Sequence, residues 1–228
     1  MNIESVPYIL ESYYYIKKWQ LPIIRKCDFF ILDSGAFTFL NGKKGKVDWG
    51  EYVDKYAEFI NANRIEHFIE LDIDSVVGFD NVSALRRRLE TMTKAKCIPV
   101  WHKGRGYDEY LRMVREYDYA AIGGIVTKEI KRSEYPYFKE LLRIAKANGC
   151  KIHGLGFTAT KELPKYHFDS VDSISWKTGG LYGMVYQYQN GEIKAHRRRG
   201  ARVANYKAVD AHNLEQWKQY QKYADKYL

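Results

Sequence analysis

Cysteine, proline and long apolar runs are all scarce in this sequence, and each scarcity removes a class of protein. The three cysteines among 228 residues, Cys27, Cys97 and Cys150, are odd in number and far apart. Each begins an apolar, strand-like run, where cysteine serves as a small hydrophobe. No short ligand spacing such as C-x-C-x-x-C joins them, so neither a disulfide framework nor a zinc site is expected. Five prolines and 17 glycines are too few for a disordered chain. No stretch approaches the length of a membrane span. The start MNIESVPYIL carries an early acid instead of a basic lead into an apolar run, so no secretory signal is expected. A reducing cytoplasm fits. Linkers, repeats and low-complexity tracts are missing as well, which predicts a single domain over 1–228.

Positive charge and tyrosine are what the chain has in excess. The formal charge is +9, with 20 tyrosines. Lysine and arginine set against phosphates release condensed counterions, and aromatic faces stack on unpaired bases, so both features favour a nucleic-acid partner. The plainer reading of most tyrosines is a half-buried ring with its hydroxyl in water.

Short apolar runs ending in polar residues alternate with longer amphipathic stretches. Phe29–Leu32 leads into Asp33-Ser34-Gly35, and a helical pattern from Trp49 to Ile60 follows, with Asp48 as its N-cap. Strand-like Phe68–Asp74 precedes a basic helix over Val82–Met92. Ile98–Trp101, a helix over Tyr107–Tyr117, the run Tyr119–Ile125 and a helix over Tyr135–Ala147 come next, closed by Asn148-Gly149. Lys151–Phe157, a short helix near Thr160 and Ser170–Trp176 complete the series. An early strand at Val6–Leu10 brings the count near eight, and Asp210–Leu228 reads as an amphipathic helix packed outside the sheet. This alternation predicts an α/β protein with a parallel sheet, either doubly wound or a closed (β/α)8 TIM-type barrel. No G-x-G-x-x-G follows the first strand and no P-loop occurs, so the barrel is favoured.

In a barrel the strand ends converge on one face, and here they carry Asp33, Asp72, Asp74 and Asp172. One such aspartate is usually a cap or turn former. Several gathered together repel one another, which structure alone rarely requires. Only His102 and His153 stand beside them at strand ends, so metal-bound hydrolysis is not expected and no cofactor is called for. Paired carboxylates without metal suit glycosyl transfer, one as nucleophile and one as proton donor and acceptor.

Asp33-Ser34-Gly35-Ala36-Phe37 resembles the DSGGF/Y motif of the tRNA-guanine transglycosylases. Gly123-Gly124-Ile125 resembles their GGL element, His153-Gly154-Leu155-Gly156 their MGxG strand, and Phe168–Trp176 lies where that family carries its nucleophilic aspartate. The resemblance runs from Phe29 to Trp176 and is nearest to the phage branch that inserts 7-deazaguanine bases into DNA. It implies a short, zinc-free barrel with Asp172 as nucleophile and Asp33 as general acid/base. Asp72, or alternatively Asp74, would read the base, with Ser34, His102, Gly123, Gly124 and Gly156 as further base contacts. It further implies DNA as substrate, presented as a flipped or single-stranded base, and a free 7-deazaguanine base as co-substrate, in the cytoplasm of a bacterial host. Two departures stand out. The family's C-terminal zinc motif is absent, and His102-Lys103-Gly104 replaces a Gln-Gly pair.

Basic loops at Lys43, Lys44 and Lys46, at Lys103 and Arg105, and at Arg197, Arg198 and Arg199 are candidate phosphate contacts. Arg86-Arg87-Arg88 reads as solvated helix surface. Trp101, Phe37, Tyr107 and Trp176 are candidates for base stacking or for core packing. Three functions remain open: base exchange in DNA, excision of a base by hydrolysis at the same site, and nucleic-acid binding without catalysis.

Overall fold

The computed structural model describes residues 8–40, 47–177, 182–197 and 205–227. In chain order its elements are β1 (Tyr8–Ser12), α1 (Leu21–Ile24), β2 (Phe29–Asp33), α2 (Phe37–Leu40), α3 (Trp49–Asn63), α4 (Asp74–Val77), α5 (Phe79–Thr93), β3 (Val100–Trp101), α6 (Tyr107–Glu116) and β4 (Tyr119–Ile122). After these come α7 (Phe138–Ala147), β5 (Lys151–Gly154), β6 (Ser170–Val171), β7 (Met184–Gln189), β8 (Glu192–Arg197) and α8 (Tyr206–Tyr227). The chain divides into two compact units, one of Asn2–Gly123 with Ile144–Ile152, the other of Gly124–Arg143 with His153–Leu228 and Met1.

The N-terminal unit is an α/β assembly with parallel strand neighbours in chain order. β1 pairs with β2 from Tyr8↔Phe29 to Ser12↔Asp33. Leu32 bridges to Phe68 and Ile69 to Ile98, both parallel, and β3 pairs with β4 through Val100↔Ala121. Lys151 N–H then donates to Asp118 C=O at 2.8 Å. Helices join these strands because their apolar residues recur at helical spacing. In α3, Val53, Tyr56, Ala57 and Ile60 turn inward, and the Asp48 carboxylate caps the N-terminus by accepting from Glu51 N–H at 3.0 Å. The core pairs that stripe with Leu32, Phe68, Leu71, Val82 and Leu89. Tyr56 is wholly buried, yet its hydroxyl lies 3.0 Å from both Leu32 O and Ile69 O, so its polar end is satisfied. Burial pushes that phenol well above its ordinary range.

The C-terminal unit has two cores. One is an aromatic cluster in which Phe157 lies 5.3 Å from Tyr135, 5.9 Å from Phe138 and 5.0 Å from Phe168, ring centre to ring centre. The end of β5 pairs parallel with β6 beside it, His153↔Ser170 and Gly154↔Val171. The other core is the antiparallel hairpin β7–β8, turned by Asn190 and Gly191 at φ 50° and 81°. Two consecutive positive φ values make the turn whose twist matches its strands. Helix α8 packs on this hairpin: Trp217 stands 5.7 Å from Tyr186, and Tyr220 and Tyr223 flank Tyr188. Asn213, fully buried, accepts from Tyr186 N–H at 2.9 Å and donates to Met184 O at 2.9 Å. Gln216 accepts from Tyr188 N–H at 2.8 Å.

The described strands thus form sheets of two, four and two strands, mixed α/β with a C-terminal helix, and display no closed eight-stranded barrel. Two expectations are corrected. The C-terminal helix lies on a hairpin that the alternating pattern did not announce. His196 and Arg197, expected in a loop, belong to β8. No helix among the described residues is long and apolar enough to cross a membrane.

Candidate active site

In the N-terminal unit, β2 ends at Asp33, and the chain turns sharply behind it. Gly35 N–H donates to Asp33 Oδ2 at 3.0 Å, and Tyr52 hydroxyl donates to Ser34 C=O at 2.6 Å. Gly35 sits at φ +70°, and a Cβ there would lie 2.5 Å from Ser12 Oγ and 2.6 Å from Tyr14 Cβ. Only glycine meets both the left-handed backbone and the close approach. Gly35→Ala is therefore expected to lose about 2 kcal/mol or more in urea unfolding, from αL strain plus overpacking. An unchanged midpoint would show that this turn tolerates a side chain. Ser34 is buried, with Oγ at 3.5 Å from Ala36 N–H, so it shapes the turn.

Asp72 and Asp74, one aspartate alternative to the other in the sequence, have different surroundings. Asp72 Oδ1 is 2.6 Å from His102 Nε2, and each side chain is about one-fifth exposed (21% and 18%). This pair can both donate and accept toward a ligand. Asp74 is instead gripped by Arg105 through two contacts of 2.5 Å. Arg105 also reaches Glu70 Oε1 at 3.1 Å, and its side chain is only 3% exposed. Its expected role as a phosphate contact is thereby corrected: the buried guanidinium is consumed by Asp74 and the buried Glu70. Glu70, fully buried, also accepts from Val100 N–H at 2.7 Å and lies 2.8 Å from Arg86 Nε. That last contact is a close ion pair whose alignment falls short of a hydrogen bond. Arg86 is accordingly a buried partner of Glu70, not solvated surface, while Arg88 forks onto Asp54. Burial pushes the Glu70 carboxyl upward while Arg86 and Arg105 draw it back. Burial is the largest single influence on the Arg86 guanidinium and would lower it, but Glu70, Tyr117 and Cys97 together hold it above its ordinary range.

Gly123 serves this cluster. A Cβ there would meet the His102 ring at 2.8 Å and Val100 Cγ1 at 2.8 Å, so the missing side chain makes room for the imidazole. Trp101 is a packing residue: its indole N–H donates to Gly106 O at 2.8 Å and its ring stands edge-on to Tyr110. Tyr107 is exposed and stacks on Tyr110. Lys103 is exposed on the turn between His102 and α6. A shallow depression along α6, lined by Asp108, Leu111, Arg112, Arg115 and Glu116, has its Arg112 charge paired with Glu109 and Glu116. It is a solvated charge ladder.

In the C-terminal unit, Asp172 follows β6 directly. Its Oδ1 accepts from Gly156 N–H at 2.5 Å and lies 3.3 Å from His153 Nε2. The side chain is 25% exposed, whereas the histidine is buried. Gly156 adopts φ +67°, and a Cβ would collide with Val126. Val126 and Ile174 are each 67% exposed. Gly124, at φ +76°, admits Glu129 so closely that a Cβ would lie 2.7 Å from Oε2. Arg197 ends β8, exposed, opposite Met184. Lys177 caps the Trp176 ring at 5.0 Å. Lys43, Lys44, Lys46, Arg198 and Arg199, and the Phe37 side chain, lie outside the described residues.

Within the units, then, Asp33 joins Gly35, Asp72 joins His102 and Gly123, Asp74 joins Arg105, and Asp172 joins Gly156 and His153. Glu70 and Arg86 were missed by sequence reasoning, and His153 had no role assigned to it. No protein-family model matches the chain, and no curated protein matches its sequence.

Proposed function

We propose that this chain is a nucleic-acid base transglycosylase, exchanging guanine in DNA for a free 7-deazaguanine derivative through a covalent bond to Asp172. The observation that carries the reading is the state of Asp172: a strand-end carboxylate, part open to solvent, with one oxygen already oriented by a backbone N–H. A nucleophilic carboxylate needs both fixed orientation and access. The chain-order parallel neighbours β1, β2, Phe68–Ile69, Ile98 and β3–β4 support a (β/α)8-type arrangement over a doubly wound sheet, in which strand order reverses.

An oxygen of Asp172 bonds to the sugar C1′ as the C1′–N bond to the old base breaks. The electron pair goes to that nitrogen, and Asp33 supplies its proton. In the reverse sense, Asp33 takes a proton from the incoming base, whose nitrogen displaces the Asp172 oxygen from C1′. The Asp72–His102 pair, which presents both donor and acceptor capacity, is assigned to the guanine-like edge. Asp74 is not, because Arg105 occupies it.

The test is incubation with single- and double-stranded DNA, with and without radiolabelled guanine or 7-deazaguanine. Label entering DNA is the expected result. Alkali-labile sites without added base would identify a hydrolytic glycosylase instead, and DNA bound with neither outcome would leave a binding protein.

A further inference from the structure

We infer that His153 is a positioning residue for Asp172: held by Ser170 on one ring nitrogen, it offers Nε2–H to Oδ1 and so commits Oδ2 to the sugar carbon. The role of Asp172 here rests on the transglycosylase reading, whereas the contact itself is measurable without it. The register of β5 on β6 sets His153 beside Ser170, and strand alternation turns Ser170 and Asp172 to the same side. Imidazole Nδ1 lies 2.5 Å from Ser170 Oγ, and Nε2 lies 3.3 Å from Asp172 Oδ1. A hydroxyl donating to Nδ1 fixes the proton on Nε2, since the neighbour of one ring nitrogen selects the tautomer.

The Nε2 contact is long, and by strict alignment this nitrogen has no hydrogen-bond partner among the described residues. The ring is 1% exposed, and a buried N–H is rarely left without an acceptor when a carboxylate faces it. Gly156 N–H reaches the same oxygen at 2.5 Å. Two donors therefore converge on Oδ1, and among the described residues neither contact falls on Oδ2. An oxygen holding two hydrogen bonds is a poor nucleophile, so the asymmetry selects the other one.

Histidine-selective ¹⁵N NMR on the full chain tests the contact. The expected result is a neutral His153 ring protonated at Nε2, with that resonance moving in Asp172→Asn. A proton on Nδ1, or an Nε2 signal indifferent to Asp172→Asn, overturns the inference whatever the activity. In single-turnover base release, His153→Met is expected to slow the chemical step by about 100-fold with KM little changed, the scale of a nucleophile misplaced by an ångström. His153→Gln, whose amide N–H reaches where Nε2–H stood, should recover at least about ten-fold of that loss. Equal losses in a folded Met and a folded Gln variant overturn positioning. A wild type that releases no base yet shows the Nε2–Asp172 coupling upholds the contact and sinks the transglycosylase reading.

Discussion

Asp172→Asn is expected to abolish base exchange, by about 10⁴-fold or more in kcat, while DNA affinity stays the same or improves. The first part follows from nucleophilic catalysis: a side-chain amide cannot form the glycosyl ester, and losing the attacking group removes the whole covalent route. The second part follows from charge. Asp172 is partly exposed in a chain of formal charge +9, and removing a carboxylate lessens its repulsion of phosphates. Asparagine keeps the oxygen that Gly156 N–H addresses, so the loop should survive. Two measurements decide it: label transfer into DNA, and a denaturing gel for the covalent protein–DNA adduct in the presence of excess free base. Exchange near the wild-type rate in Asp172→Asn, or an adduct that persists, would remove the proposed nucleophile.

Glu70→Gln is expected to cost about 3–5 kcal/mol of stability in urea unfolding, the penalty for stripping one partner from a buried ion-pair network. The substitution keeps the shape and removes only the charge. Among the described residues it leaves Arg86, 4% exposed, with no carboxylate in an ion pair, and Arg105 with Asp74. The phenyl ring of Phe79, 4.6 Å from the Arg105 guanidinium, offers only partial compensation. Burial pushes the Glu70 carboxyl upward, so the experiment also reads its charge state. A carboxyl already carrying its proton would tolerate glutamine almost neutrally, and a loss below about 1 kcal/mol would show that the guanidiniums do not depend on it. The same variant should disturb the Asp72–His102 pair, because Arg105 anchors the turn that follows His102.

Much of the helical framework was legible because helical spacing reports burial directly. The inward stripe of α3, its Asp48 cap and the Gly149 stop after α7 all appear where periodicity and capping chemistry require. Strand extents were less legible: Phe68–Asp74 reads as one strand, yet pairing touches only Phe68 and Ile69, and Asp74 already opens α4. The hairpin β7–β8 was not legible in the βα alternation, because its antiparallel strands stand outside that pattern, although Asn190-Gly191 between alternating tyrosines is a strong turn signal.

The site divides similarly. Aspartates at strand ends stand out by residue type, and Asp33 and Asp172 are each met by a loop glycine N–H. What single-residue reading could not supply is pairing. Arg105 and Asp74 looked like separate binding groups, and Arg86 looked like surface, because the partners that pair with them lie 16 to 35 residues away along the chain. One clue was available: Glu70 alternates with Ile69 and Leu71 in a strand too apolar to leave a charge unanswered.

The side chains of Asn213 and Gln216 occupy the backbone groups along one margin of β7 that would otherwise recruit another strand. A helix is thereby substituting for a neighbour in the sheet. A chain truncated ahead of Asn205 would bare that margin together with the rings of Tyr186 and Tyr188, creating an adhesive ribbon open to any passing extended peptide. Protection of that strand margin is thus vested in the amide groups of one helix.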